Sequence, residues 1–366
     1  MIQYKIIPKI IVAPISIDVL KNFNIGNDVL ILVSKTVLTL FNLSLIFNEL
    51  KKERRVTIDS SIRPDSPFDD LDKVISSLNG KNLDTIIAIG GGSVIDAAKT
   101  LSVSFQGTSY KDIFYKKAQL PVNKIKVLAV PTTAGTGAEL SFGAIIYDNI
   151  NKFKGGIRGE ILQPDYVLID ANFHNSCPKK LKAEVGFDCL THAIETYISK
   201  KSNPIVKENS IHCINNIFKY LICACEDSDK HAMEKIAISS ALMGINLAYS
   251  STCLPHRIQY VIGPLTATSH AKGLIALYKG WLIHLRETEC VQLESLAFDL
   301  GMDVNQFLLK IELLKNKLNI NYNISDLGVK QDQINEISRK VTGNVSLDPS
   351  YINAKSINNI LINSLK

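Results

Sequence analysis

Three short apolar runs restrict what this 366-residue chain can fold into: Val29-Leu-Ile-Leu-Val33, Thr85-Ile-Ile-Ala-Ile89 and Lys126-Val-Leu-Ala-Val130. Each has strand length and no alternation of apolar with polar residues, which is the mark of a strand covered on both faces. Leu38 to Lys52 and Pro67 to Leu78 lie between them and carry apolar residues at helical spacing. Strands alternating with helices make βαβ units, hence a parallel sheet with right-handed crossovers. Ligands of such sheets sit at the carboxyl ends of the strands.

After about residue 178 the pattern changes. Lys180 to Ser199, Pro204 to Ala224, Asp229 to Ser250, Gly273 to Leu285 and Glu289 to Leu300 all read as helices, and strand signals are scarce. Turn residues and a proline in Ala171-Asn-Phe-His-Asn-Ser-Cys-Pro178 place the boundary there. The expected organisation is an α/β domain over 1–174 and an all-helical domain over 175–366.

Composition removes several function classes. Hydrophobic residues at 46% and charged residues at 21% are a globular balance. The net charge is +6, with 41 Lys and Arg scattered among 35 acidic residues and no basic stripe interleaved with aromatics, which argues against nucleic-acid binding. The apolar runs are too short to span a bilayer. Met1 to Pro8 lacks the basic segment, long apolar core and cleavage site of a signal peptide. Seven cysteines, an odd number without CxxC pairing, read as reduced thiols of a cytoplasmic protein.

Two strand ends carry small polar loops. Thr85–Ile89 runs into Gly90-Gly91-Gly92-Ser93 and then Val94-Ile-Asp96-Ala-Ala-Lys99 at a helix start. Glycines admit a phosphate close to the backbone, and the unpaired amides of a helix N-terminus favour an anion. Lys126–Val130 runs into Pro131-Thr132-Thr133-Ala134-Gly135-Thr136-Gly137-Ala138-Glu139, whose hydroxyls suit sugar and phosphate oxygens. Gly91, Gly92, Ser93, Asp96, Thr132, Thr133 and Thr136 are therefore candidate cofactor contacts. A tight polar turn without ligand is the plainer reading of either loop alone.

In the second half, Asp188 and His192 are four apart, so one helix face presents both. His256 and His270 follow. Three imidazoles and one carboxylate form a possible metal set. On one straight helix His256 and His270 would stand about 21 Å apart. Gly263-Pro264 is expected to break the helix between them and let the chain turn back.

Gly90-Gly-Gly-Ser-Val-Ile-Asp-Ala-Ala-Lys99, Pro131-Thr-Thr-Ala-Gly-Thr-Gly-Ala-Glu139 and Gly186-Phe-Asp-Cys-Leu-Thr-His-Ala-Ile-Glu195 together resemble three signatures of the iron-containing (group III) alcohol dehydrogenase family. The resemblance implies an N-terminal dinucleotide-binding α/β domain with a helical metal domain, the architecture shared with dehydroquinate synthase. It further implies Fe2+ or Zn2+ held by Asp188, His192, His256 and His270, pyrophosphate contacts from Gly92 and Ser93, and a cofactor lining from Thr132, Thr133 and Thr136. Lys154 falls where the family has a lysine near the nicotinamide ribose. The implied activity is hydride transfer between a nicotinamide cofactor and a small aldehyde or alcohol, in a homodimer or larger assembly.

Three departures refine this expectation. Lys35 follows the first long strand, where many NAD-using members place an Asp. A cation there favours a ribose 2′-phosphate, hence NADP(H) over NAD(H). Tyr260 stands four residues after His256, where the family usually has a proton-relaying His. A phenol, with its reference pKa near 10, is a weaker shuttle at neutral pH. Arg257 beside the third ligand-type residue and Lys272 after Ser269-His270-Ala271 point to an anionic substrate, such as a phosphonate or sugar-acid aldehyde. A cyclase of the dehydroquinate synthase type and a cofactor-binding homologue without turnover stay open as alternatives.

Overall fold

The computed structural model describes residues 8–105, 107–226 and 229–366. The reading that the N-terminus holds no signal peptide rests mostly on residues 1–7, outside the described residues. Two units divide the chain, one comprising residues up to Cys177 without Ala134–Thr136, the other comprising that tripeptide and Pro178–Lys366.

The first unit contains β1 (Lys9–Val12), α1 (Ile17–Leu20), β2 (Asp28–Val33), α2 (Lys35–Leu40), α3 (Ser44–Glu53), β3 (Arg55–Asp59), α4 (Phe68–Ser77) and β4 (Thr85–Gly90). It continues with α5 (Gly92–Ser104), α6 (Tyr110–Phe114), β5 (Lys126–Pro131), β6 (Gly143–Asp148), β7 (Phe153–Arg158), β8 (Tyr166–Ile169) and α7 (Ala171–Asn175). Six strands form a sheet in the order β1-β8-β5-β4-β2-β3, with every pairing parallel. Strands β6 and β7 form a separate antiparallel hairpin that pairs Tyr147 with Lys154.

The unalternating apolar runs are the central strands, and the two-residue period of the strand deals their side chains to two cores. Leu30, Leu32, Ile86, Ala88, Val127 and Ala129 pack with Leu71 and Val74 of α4 and Ile95 and Leu101 of α5. Val29, Ile31, Val33, Ile87, Ile89, Leu128 and Val130 pack with Phe47 and Leu50 of α3 and Phe173 of α7. Each fully buried side chain of this kind contributes about 1.5–3 kcal/mol.

The single helix expected over Leu38–Lys52 is two helices. Phe41 is extended (φ −123°, ψ 133°), and Asn42 Oδ1 accepts the Ser44 amide, so α2 stops and α3 restarts. The break lets the Phe41 ring meet Phe173 edge-on at 4.6 Å.

Lys99 of α5 is completely buried. Its Nζ donates to the carbonyls of Ala138 (2.6 Å) and Gly143 (2.6 Å) and to Ser141 Oγ (3.0 Å). Asp96, one turn earlier, lies 3.9 Å from that Nζ and accepts the Ile145 amide at 3.0 Å. Burial pulls Lys99 down to about 8 and pushes Asp96 up to about 6. This buried pair fastens the β6–β7 hairpin to α5.

His174 of α7 gives the unit a pH dependence. The residue is 2% exposed, neither ring nitrogen has a hydrogen-bond partner among the described residues, and burial lowers its pKa from 6.5 to about 4. Because the folded pKa of this base is depressed, the unfolded chain takes up the proton first as pH falls. The His174 contribution, roughly 3 kcal/mol, is thus intact above pH 6.5 and lost between pH 6.5 and 4. Glu139, raised by burial to about 7, acts in the opposite direction, since acid favours its buried neutral form. Urea unfolding of wild type and His174→Gln at pH 7.5 and 4.5 isolates the histidine: the variant is expected to lose less stability on acidification.

Among its described residues the second unit has helices and no strand: α8 (Lys179–Ile198), α9 (Pro204–Glu226), α10 (Lys230–Tyr249), α11 (Leu254–Thr266), α12 (His270–Glu287), α13 (Val291–Asp299), α14 (Val304–Leu318), α15 (Ile334–Lys340) and α16 (Ala354–Asn363), with short 3-10 turns. Helix α8 is buried on all sides from Phe187 to Ile198, as a central helix must be. Gly263-Pro264 does not break α11. Pro264 sits in its last turn, and the chain reverses at Ala267, whose φ of 52° lets its amide reach back to the Gly263 carbonyl. Ser269 then caps α12, which begins at His270.

No disulfide joins any of the seven cysteines. Among the described residues no single helix is long and apolar enough to cross a membrane; only the pair α10 and α11, bent by 103°, passes on length and composition.

Candidate metal centre and nucleotide loops

Asp188 and His192 lie one turn apart on α8, His256 on the first turns of α11, and His270 at the first position of α12. One oxygen of Asp188 and one nitrogen each of His256 and His270 lie within 4.8 Å of one another. His192 Nε2 adjoins them, 2.9 Å from His256 Nε2 and 3.9 Å from Asp188 Oδ1. The structure therefore brings all four sequence-predicted residues together.

The outer nitrogens explain why they face inward. His192 Nδ1 lies 3.0 Å from the Gly135 carbonyl, His256 Nδ1 2.8 Å from Glu195 Oε1, and His270 Nδ1 2.6 Å from Gln259 Oε1. The Gly135 and Gln259 oxygens can only accept, and an ionised Glu195 accepts too; with the proton on each Nδ1, each Nε2 directs its lone pair toward the others. With the protons so placed, the His192 and His256 Nε2 atoms, 2.9 Å apart, meet lone pair to lone pair, a contact that a cation between them would relieve. On an ion with bonds of about 2.1 Å, neighbouring ligand nitrogens are roughly 3 Å apart, so the donor set fits a divalent metal of the Fe2+ or Zn2+ type.

Glu195, Gln259 and Asp348 are site residues that sequence reasoning missed. Glu195 also accepts the Cys253 amide at 2.7 Å, and Asp348 accepts the Leu254 amide at 3.0 Å, so two carboxylates meet the N-terminus of α11. Burial pushes the Glu195 carboxyl well above its ordinary range, a shift the Cys253 amide opposes and Asp348 adds to. A positive ion on the imidazoles would hold its charge. The available signal was spacing: Glu195 stands seven residues after Asp188, and Gln259 three after His256.

Tyr260 lies beside His270, with ring centroids 6.0 Å apart, and the Arg257 guanidinium lies 5.0 Å from the centre of the Tyr260 ring. Arg257 Nη2 donates to Thr252 Oγ1 at 2.5 Å. Lys272 instead stands over the Tyr322 ring at 4.9 Å, and the Tyr322 hydroxyl donates to Glu184. The two cations expected to share a substrate thus have different aromatic partners.

In the first unit the loops after β2, β3, β4 and β5 leave the same edge of the sheet, because the strands are parallel. Gly91 is the N-cap of α5 and offers no side chain, so the first amides of that helix, at Gly92 and Ser93, are open to an anion. A Cβ on Gly91 would come 3.1 Å from Thr133 Oγ1, which holds the two loops close. Thr132 is buried, and its carbonyl accepts the Cys177 thiol. Lys35 is exposed at the start of α2. Lys154 is buried and pairs with Asp65 at 2.5 Å, while the Asp65 amide donates to Ser93 Oγ at 2.9 Å. Asp65 is a further residue missed in sequence. Asp96, expected to touch the cofactor, points to the hairpin amide and Lys99 instead. Thr136 sorts with the helical unit, and Gly135 beside it supplies the His192 acceptor.

Residues 8–171 match the model of iron-containing alcohol dehydrogenases, and residues 182–365 match the C-terminal model of the same family. The aldehyde-alcohol dehydrogenase of Streptococcus pneumoniae serotype 4 is 26% identical over 89% of this chain, which spans 41% of that protein's length. The NADPH-dependent butanol dehydrogenase of Clostridium saccharobutylicum is 26% identical over 76% of this chain and 74% of its own. The sulfoacetaldehyde reductase of Bifidobacterium kashiwanohense, solved with NAD+, superposes with a TM-score of 0.88 over 100% of this chain and 99% of its own; at 21% identity it speaks to the fold alone. With the two family models matching residues 8–171 and 182–365, the chain belongs to the iron-containing alcohol dehydrogenase family.

Proposed function

We propose that this chain is a metal-dependent, nicotinamide-linked alcohol dehydrogenase acting as a reductase of small anionic aldehydes in a reducing, cytoplasmic compartment, as a homo-oligomer. The observation that carries the reading is the cluster of Asp188, His256 and His270 with His192 Nε2 2.9 Å from His256 Nε2, each imidazole oriented by its own acceptor. When bound, the metal supplies Lewis acidity toward a carbonyl oxygen and the nicotinamide supplies the hydride.

Asp188, His192, His256 and His270 hold the metal, and one carboxylate among three neutral imidazoles leaves the site net positive. Gly91, Gly92 and Ser93 bind the pyrophosphate through the α5 amides, and Thr132, Thr133 and Thr136 line the cofactor. Lys154 faces the nicotinamide ribose, and Asp96 serves it indirectly by tying down the hairpin that carries it. Tyr260 shapes the pocket beside His270 and donates a hydrogen bond there. Arg257, and secondarily Lys272, attract the anionic end of the substrate.

Lys35 selects NADP(H) by pairing with the 2′-phosphate. Lys35→Asp is expected to reverse the preference, with the ratio of NADPH to NADH efficiency falling roughly 10-fold or more, as loss of a charged hydrogen bond dictates. The test is absorbance-monitored oxidation of NADPH and NADH by Fe2+-reconstituted protein with neutral and anionic aldehydes, beside metal-stripped protein. Metal-dependent NADPH loss that is fastest with anionic aldehydes supports the proposal. Absence of turnover on every aldehyde, despite cofactor binding, overturns it.

A further inference from the structure

The three imidazole acceptors are a carboxylate for His256 and two neutral amide oxygens, the Gly135 peptide carbonyl for His192 and the Gln259 side chain for His270. Position 259 is fully buried on α11, where an apolar residue would cost nothing. The glutamine there leaves its Nε2 buried without a hydrogen-bond partner among the described residues. That is an unfavourable arrangement, and it needs a compensating task.

The surroundings are cut to this side chain. A Cβ on Gly263, one turn further along α11, would lie 2.8 Å from Gln259 Nε2. A Cβ on Gly273 of α12 would lie 2.9 Å from Gln259 Cγ and 3.3 Å from Nε2. Both glycines sit inside helices without a positive φ, where alanine would otherwise be the better helix former. A buried orphan amide and two helical glycines, each unfavourable alone, converge on one hydrogen bond. The orientation of the amide follows from chemistry: with its nitrogen toward the ring, His270 Nδ1 would accept and Nε2 would carry the proton, closing it to a metal.

We infer that Gln259, seated in the space left by Gly263 and Gly273, is the positioning residue that fixes the tautomer and ring direction of His270 and so tunes the metal affinity of the site. The inference rests on the metal-centre reading above. A neutral acceptor withdraws less of the ring proton than a carboxylate does, which leaves His270, like His192, less electron-rich than His256. A carboxylate at 259 would therefore bind metal as tightly as the glutamine or more so.

The test is Co2+ and Zn2+ affinity of the full chain, measured by competition with a chromophoric chelator, with the visible spectrum of the Co2+ form recorded beside it. Gln259→Leu, close in size but without the acceptor, is expected to weaken binding 10–100-fold and shift the Co2+ bands. Gln259→Glu is expected to retain or tighten it, a rescue that a purely packing role would not produce. Gly273→Ala should weaken binding by displacing Gln259, yet add no further loss in a Gln259→Ala background, where the space is vacant. Wild-type affinity in Gln259→Leu, loss in Gln259→Glu equal to that in Gln259→Leu, or an additive Gly273→Ala effect would each overturn the inference while leaving the metal centre standing. Failure of the wild type to bind either ion would remove both.

Discussion

His256→Ala is expected to release the metal and to destabilise the helical unit at the same time. It deletes one of the converging nitrogens, so metal affinity should fall by more than the ~100-fold upper range for losing an outer partner. It also strips Glu195 of its imidazole: both carboxylate oxygens lie 2.8–2.9 Å from His256 Nδ1, and the side chain is fully buried. Leaving a buried polar group without its hydrogen-bond partner typically costs about 1–3 kcal/mol. The Cys253 amide remains as the surviving partner. Chelator competition and urea unfolding read the two effects separately. A double variant His256→Ala/Glu195→Gln should recover part of the stability and none of the metal binding. Stability equal to wild type in His256→Ala would contradict the account of Glu195.

Gly135→Ala carries the second large effect. A Cβ there would stand 2.3 Å from the Val185 carbonyl oxygen, a backbone atom at the start of the buried stretch of α8. Backbone cannot swing aside as a side-chain tip can, so the Gly135 peptide must move, and with it the carbonyl that orients His192. Overpacking of this kind costs about 1–3 kcal/mol, and losing the acceptor should weaken metal binding 10–100-fold. Both are expected from a single methyl group in a loop read from sequence as cofactor-binding. Thermal unfolding with and without Zn2+ checks it: the stabilisation by metal should shrink in the variant. Unchanged stabilisation would mean that the peptide relaxes without disturbing His192.

Much of the architecture was readable because it depends on local period. Val29–Val33, Thr85–Ile89 and Lys126–Val130 are central strands, and their lack of alternation reflects two cores. Asp188 and His192 share a face because a helix repeats every 3.6 residues. Strands β1, β3 and β8 and the β6–β7 hairpin were not read from the sequence; β3 and β7 carry polar residues or glycines between their apolar ones. Gly263-Pro264 misled because a proline near a helix end removes little, whereas the left-handed Ala267 that makes the turn has no sequence mark.

The sequence by itself therefore determined the two-part architecture and the loops at the strand ends and named the four metal-ligand candidates, but it misplaced the turn that brings His256 and His270 together. Only the tertiary structure decided what aims those four. Gly135 reaches His192 across 57 residues, Glu195 reaches His256 across 61, and Gln259 reaches His270 from a different helix. Asp65 meets Lys154 across 89. Such partners are selected by packing in three dimensions, where an acceptor is defined by the direction of its lone pair and not by its place in the chain.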